Sequence, residues 1–485
     1  MTRIGYAVLQ SAVLATAGTP VLHAQVSSRA AATIDSIIRY EMQQRRVPGL
    51  AIAVVENGKV IYKRAYGTAN LETGTPLTTD AVFELASVTK QFTAAAIMLL
   101  VEEGKVGLDD PITRYIDGTP ATWSAITVRQ LLTHTSGMHA QGVPRIEGSA
   151  PLNITTKAAF TFIAAQPMRF APGQEGWYSD PGYFLLGMII EKASGQTYRQ
   201  FMQQRIFAPL GMANSSILDK LKVLKGRVPT YMLRDGELLN WRRDWDYELP
   251  SFFGIWSTLD DLVKWDAALR GNVLLKPASL QQMWTPAKLL SGLDARVFDR
   301  PYGFGFELAD LRGQRTAGHG GASGTYLLRF LDEPLTIILL SNLEGSGGRH
   351  HVLLARSVAG ALRPAYRPPN MMAVQSDPDA QLTRTVQAFL GDLAARRDPT
   401  GLSSTYQAWY NSALGFKAFW SGQIAGFTSL TYLGADDVKG RPLWDPEPLD
   451  RHVHYRLNAG ERVLFVTVGV NSEGRIGKVD FLAYR

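Results

Sequence analysis

The sequence has no cysteine among its 485 residues. Disulfides, zinc–thiolate centres, iron–sulfur clusters and a cysteine nucleophile are therefore excluded. No H-E-x-x-H occurs, and the adjacent His350 and His351 diverge on a helix, so no metal and no cofactor is expected. Beyond the N-terminus no stretch reaches the ~18 uninterrupted apolar residues of a spanning helix, so stable membrane insertion is not expected. Charge of one sign is scarce too: 50 Lys+Arg against 43 Asp+Glu leave a net +7. The densest basic stretch, Lys220, Lys222, Lys225 and Arg227, is broken by leucines and valines. A nucleic-acid partner is therefore not expected, and an anionic wall or membrane surface stays only as a weak one. Internal repeats and low-complexity tracts are also missing. What is present, 46% hydrophobic and 19% charged residues, is enough to fill sizeable cores.

The N-terminus carries an address. Arg3 precedes an Ala-rich apolar stretch, Ile4 to Ala17, and Leu22-His23-Ala24-Gln25 offers a signal-peptidase site after Ala24. Residues 1–24 read as a signal peptide, which implies a periplasmic or secreted protein.

The run Gly49–Val55, the Asn57-Gly58 turn and Val60–Tyr62 read as a β-hairpin. A long helix is expected from about Ser87 to Glu103, with further helices near 128–132, 157–165, 181–193 and 260–269. Strands return at Tyr326–Phe330 and Leu335–Ser341, followed by a helix at His350–Leu362. Strands at both ends with helices between imply one sheet closed by the two ends of the domain. Three prolines in Arg363–Asn370 suggest an extended spacer. Beyond it a helix over 380–397 and three alternating runs, 452–457, 462–470 and 478–484, predict a small α+β unit ending in an antiparallel meander.

The sharpest chemical motif is Ser87-Val-Thr-Lys90, the one S-x-x-K in the chain. Helical spacing puts the lysine amine one turn from the serine hydroxyl, where it can relay the proton of an otherwise poor nucleophile. Ser87 also falls at the helix start, where free backbone N–H groups meet its oxygen and any developing oxyanion. The pattern alone is weak, and an N-cap serine followed by a solvent lysine would read the same way.

Its surroundings decide. Phe83-Glu-Leu-Ala-Ser87-Val-Thr-Lys90-Gln-Phe-Thr-Ala resembles the active-site helix of the serine β-lactamase and penicillin-binding-protein superfamily. More narrowly it resembles the class C β-lactamase-like group with its family VIII esterases and D-amino-acid peptidases. Ile126–Gly137 is similar to that group's helix-to-turn signature, and Gly254–Leu262 to a further segment. Tyr178-Ser179-Asp180 resembles the Tyr-x-Asn element, and His319-Gly320-Gly321 the Lys/His-x-Gly strand. The resemblance runs from about Arg39 to Leu362.

It implies a β-lactamase-like α/β (α+β) fold: an antiparallel sheet covered by helices, plus an all-helical subdomain. The expected organisation is a hydrolase domain over 30–365, a linker over 366–378 and an accessory α+β domain over 379–485, similar to NTF2-like or cystatin-like folds. It also implies roles. Ser87 is the nucleophile, and Lys90 and Tyr178 share general-base duty, with surrounding cations, Lys90 and a charged His319, easing Tyr178 toward phenolate. His319 anchors a substrate carboxylate or tunes Tyr178. Gly320 and Gly321 let the edge strand approach the substrate. The N–H groups of Ser87 and Ala322 form the oxyanion hole.

Two departures matter. Asp180 stands where the family usually has Asn, and an ionised Asp only accepts hydrogen bonds. This weighs against recognition of a penicillin's acylamino arm and leaves Asp180 to pair with Lys90 or His319, or to hold a substrate amine. His319 replaces a fixed lysine charge with a titratable one. Of the rival sites, Ser323 sits in a broken G-x-S-x-G, His134 reads as a structural histidine, and Trp241–Tyr247 reads equally as a cleft rim or as buried aromatic anchors. The expectation is a secreted serine hydrolase acting on a small ester, D-peptide or lactam, with esterase or D-aminopeptidase activity ranked above β-lactamase. The alternative is a catalytically slow sensor of peptidoglycan or lactams.

Overall fold

The computed structural model describes residues 26–139, 152–219, 221–241, 245–297, 300–345, 349–412 and 414–483. The signal peptide expected over residues 1–24 lies outside them. The hairpin forms as its sequence requires: Gly49–Glu56 turns back into Lys59–Asn70 through Asn57 and Gly58, both at positive φ. Gly49–Glu56 then pairs antiparallel with Leu335–Ser341, from Leu50↔Ser341 to Glu56↔Leu335. That pairing joins the two ends of the region 49–341 in one seven-stranded antiparallel sheet. Its order is Glu307–Leu311, Gln314–Gly321, Thr325–Phe330, Leu335–Ser341, Gly49–Glu56, Lys59–Asn70 and Thr75–Pro76.

Gly49–Val55 is buried on both faces, which explains why it reads as a continuous apolar run. Leu50, Ile52 and Val54 pack toward the helices Ser28–Arg45 and Arg349–Leu362. Ala51, Ala53 and Val55 face the opposite core, built on the helix Thr89–Glu102. That helix is buried from Thr89 to Leu100 on every side, so it is a central rod rather than an amphipathic cover. The helices Val128–Leu132, Thr156–Ala164 and Asp180–Ser194 pack around it as a helical layer beyond the sheet. Among the described residues no helix is long and apolar enough to cross a membrane.

The prolines after Leu362 do not make an extended spacer. They open two tight turns, Pro364–Tyr366 and Pro369–Met371, with proline at the first position where its lack of an N–H costs nothing. Tyr366 is buried and stacks on Phe330, centroids 5.1 Å apart, so this segment is packed onto the sheet. Residues 380–483 follow as three helices, Ala380–Ala394, Ser404–Ser412 and Leu414–Gln423, and a four-stranded antiparallel meander. The strand Phe427–Asp437, bulged at Gly434, precedes the three runs legible in the sequence. These elements have a core of their own around Val386, Phe389, Trp420, Tyr455 and Val466.

The two cores meet across a seam that is partly apolar and partly charged. Leu353 packs with Leu433, Phe465 and Leu482. Buried Lys478 reaches Asp310 of the large sheet at 2.9 Å, Asp445 at 2.7 Å and Asp480 at 3.1 Å. Arg312 pairs with Asp436. Three carboxylates facing one ammonium make Lys478 the keystone of the seam. Lys478→Ala is expected to destabilise the protein by about 3–5 kcal/mol, because it strands buried carboxylates without a cation. Urea denaturation of variant and wild type checks this, and a loss under about 1 kcal/mol would mean water replaces the ammonium.

Candidate active site

Ser87, the candidate nucleophile, is held by neighbouring strands and a turn. The strand Phe83–Glu84 is clamped by Ile255–Ser257, with Trp256 opposite Glu84, and Leu85 N donates to Ile255 O at 2.8 Å. The chain then kinks: Ala86 takes φ 46°, a left-handed conformation unusual for a residue with a Cβ. A 3₁₀ turn, Ala86–Val88, carries Ser87 directly into the central helix. Strain of about 1–3 kcal/mol at such a residue persists only where the surroundings hold it, as the Ile255–Ser257 strand does here.

Lys90 lies one turn on and is fully buried. Its Nζ donates to Ser87 Oγ at 3.2 Å, Asp180 Oδ1 at 2.8 Å and the Phe252 carbonyl at 3.0 Å. These three acceptors match the three donors of an ammonium group. The ring of Tyr178 adds a face at 4.8 Å. Asp180 is delivered by helix capping. Ser179 accepts from Gly182 N as N-cap, Pro181 occupies the first turn, and an acid in that turn suits the positive helix end. Asp180 thus meets Lys90 rather than His319, and its side chain keeps 35% exposure.

Tyr178 precedes that cap and hydrogen-bonds Ser87. Burial pushes its phenol well above the ordinary value, and the Asp180 carboxylate pushes it further the same way. His134 packs under the Tyr178 ring at 4.4 Å, and its Nδ1 accepts from Ser179 N at 3.1 Å. Burial, then the charge of Lys90, lowers the His134 pKa far below its usual range, so it is a neutral wedge in the turn.

His319 differs from the cationic group expected. It is 2% exposed, and burial depresses its pKa. Its Nδ1 lies 2.8 Å from the Gly320 carbonyl, which can only accept, so Nδ1 carries the proton. Nε2 then accepts from Tyr302 Oη at 2.9 Å. A neutral imidazole locked between two partners is no fixed anchor for a carboxylate.

Gly321 has a tight steric requirement. A Cβ there would lie 2.2 Å from the Leu85 carbonyl oxygen and 2.2 Å from Thr325 Oγ1. Only glycine lets this strand pass the segment that carries Ser87, and it sets Ala322 beside the turn. Ser87, Lys90, Tyr178 and Asp180 therefore form one contact cluster, His319 lies 6.1 Å from the Tyr178 ring, and Gly321 and Ala322 follow His319 along the neighbouring strand and its turn. Ser323 does not join them: it is buried, and its Oγ donates to the Glu84 carbonyl at 2.5 Å. Of the run 241–247, residues 242–244 lie outside the described residues. Tyr247 is buried against Phe252 at 5.2 Å, and so braces the carbonyl on Lys90. The sequence reading missed Phe252, which acts through its backbone, and Tyr302, which no motif marks.

A family model described as Beta-lactamase matches residues 34–361. The chain belongs to this family. Penicillin-binding protein 4* of Bacillus subtilis is 31% identical over 321 residues, 60% of this chain and 68% of that protein. A D-aminopeptidase of Brucella anthropi is 28% identical over 324 residues, 64% of this chain and 59% of that protein. Esterase EstB of Burkholderia gladioli is 27% identical over 380 residues, 68% of this chain and 95% of that protein. Among solved structures, an octameric penicillin-binding protein homologue from Pyrococcus abyssi aligns with TM-score 0.61 at 22% identity. It covers 94% of this chain and 98% of that one, and shows the shared fold. The protein is a serine hydrolase of the beta-lactamase family.

Because Ser323 spends its hydroxyl on a backbone carbonyl, Ser323→Ala is expected to keep at least about a tenth of ester turnover, whereas Ser87→Ala keeps none. Steady-state hydrolysis of p-nitrophenyl butyrate by both variants checks this. A dead Ser323→Ala with an active Ser87→Ala would reverse the assignment.

Proposed function

We propose that this enzyme hydrolyses carboxylic esters or N-terminal D-aminoacyl amides by acyl transfer through Ser87, in the periplasm or outside the cell. The observation that carries this reading is the Lys90–Asp180 ion pair beneath the serine. An ionised Asp180 cannot donate to the acylamino carbonyl of a penicillin, and its exposed oxygen suits a substrate amine. The neutral His319 points the same way, because a substrate ending in a free carboxylate would find no fixed cation there. The names of the esterase and D-aminopeptidase relatives agree with this choice.

In the resting site Lys90 is saturated with acceptors and Tyr178 holds its proton. Attack by Ser87 needs one proton to leave this cluster, after which Lys90 or Tyr178 receives the serine proton and Tyr178 returns one to the leaving group. The tetrahedral oxyanion would be met by the N–H groups of Ser87 and Ala322. Asp180 makes proton loss from Tyr178 harder, since its charge raises the pKa of that phenol.

Two consequences follow for Asp180→Asn. Removing the negative charge lowers the Tyr178 pKa, so the alkaline rise of kcat/KM for p-nitrophenyl butyrate should begin at lower pH than in wild type. The variant also regains an amide donor. The ratio of kcat/KM for nitrocefin to that for p-nitrophenyl butyrate should rise roughly tenfold, about 1.4 kcal/mol, the worth of one hydrogen bond. A pH profile that stays put together with an unchanged ratio would show that Asp180 faces neither the proton path nor the substrate.

A further inference from the structure

The segment 287–297 lies between the loop that leads to Tyr178 and the C-terminal core. It is closed on itself by backbone bonds, Ala295 N to the Ala287 carbonyl at 2.7 Å and Leu289 N to the Leu293 carbonyl at 2.8 Å. Toward the active site it meets residues 173–177. Leu290 N donates to the Gly173 carbonyl at 2.9 Å. A Cβ on Gly176 would lie 2.4 Å from the Arg296 carbonyl oxygen, so the two backbones touch only two residues before Tyr178. The same loop is tied to the turn at His134: Gly173 N donates to the Thr135 carbonyl and Trp177 N to the His134 carbonyl, both at 2.8 Å.

Toward the other side the segment enters the C-terminal core. Leu293 packs against the apolar cluster of residues 382–481. The Arg296 side chain is 7% exposed, with its guanidinium 3.6 Å from Asp480 and 5.2 Å from the centroid of the Trp409 ring. Trp409 belongs to the helix Ser404–Ser412 and Asp480 to the strand Ile476–Ala483, so two elements of that core grip one side chain. Arginine suits this place. Its long stem is apolar, its planar head lies on an indole face, and its charge answers a carboxylate. Arg296 and Val297 also pair antiparallel with Pro301 and Arg300, and the next residue, Tyr302, holds His319 at 2.9 Å.

We infer that the C-terminal core positions the active-site tyrosine, and that Arg296 is the positioning residue through which it does so. The side chain of Arg296 is anchored in that core, while its backbone sets Gly176 and, two residues on, Tyr178. The inference rests on the reading of Ser87 and Tyr178 as reacting groups. Proton transfer needs Tyr178 within hydrogen-bond reach of Ser87, and a displacement of about 1 Å can cost roughly 10²-fold in rate. A shift at Arg296 also reaches His319 through Tyr302.

The test uses the full chain and two readouts. One is hydrolysis of p-nitrophenyl butyrate per active site titrated with a p-nitrophenyl alkylphosphonate. The other is amide hydrogen exchange of peptides covering residues 171–179, with the central helix Thr89–Glu102 as internal control. Arg296→Ala should lower kcat at least about tenfold with KM within about threefold of wild type. It should also speed exchange over 171–179 at least about fivefold while the central helix exchanges as in wild type. Arg296→Lys, which keeps the charge and the stem, should recover kcat to within about threefold. Asp480→Asn, which loosens the anchor from the C-terminal side, should move both readouts in the same direction by less. Should wild type turn over no ester, the functional reading falls and the exchange comparison by itself decides the inference. Unchanged exchange over 171–179 in Arg296→Ala, an undiminished kcat, or faster exchange shared equally by the central helix would each overturn it.

Discussion

The site depends on one buried cation. Lys90 sits inside the most enclosed helix of the molecule, where an unpaired ammonium would cost several kcal/mol. Its three acceptors come from three directions: Ser87 from its own turn, Asp180 from the start of a neighbouring helix, and Phe252 from a backbone carbonyl. Each element is fixed by local chemistry of its own, a strained turn at Ala86, a serine cap at Ser179, and an aromatic brace at Tyr247. The lysine therefore reports on the whole fold, since displacement of any of the three leaves a buried donor unmet. It also sets the reaction's difficulty. The pairing that makes Lys90 tolerable in the core also occupies the donors of the group proposed to take the serine proton.

Much of this was legible in the residues. The helical spacing of Ser87 and Lys90, the Asn-Gly turn and the doubly buried run at Gly49–Val55 are local patterns, and their consequences are local too. The closing of the sheet by the first and last strands of the region 49–341 follows from where the strands fall. The charge state of His319 was not legible, because it depends on Tyr302 and on burial by elements far along the chain. Phe252 acts through a carbonyl, and backbone groups leave no mark in a sequence. The strand Phe427–Asp437 escaped notice because it alternates Thr, Ser and Gly with its apolar residues and only Leu433 and Gly434 are deeply buried. The proline-rich segment misled for a physical reason as well. Proline favours both an extended spacer and the first position of a tight turn, and here Tyr366 stacking on Phe330 selects the turn.

Charge also organises the seam between the two cores, but to a different end. At the active site one cation is surrounded by acceptors. At the seam, three carboxylates gather around one cation, Lys478, with Arg296 beside them. The first arrangement stores reactivity in a proton that is hard to remove. The second ties the two cores together. Glu307 links them, since it pairs with Arg300 at the seam and contributes to the electrostatic environment of His319 and Tyr178.

The central claim is that Ser87 is the nucleophile and that Lys90 activates it. A p-nitrophenyl alkylphosphonate leaves a stable phosphonyl group on an activated serine, and peptide mapping by mass spectrometry locates it. The account predicts a single adduct on Ser87, formed on the order of 10²–10⁴ times more slowly in Lys90→Ala. An adduct on another serine, or labelling of Ser87 at an unchanged rate without Lys90, would contradict it.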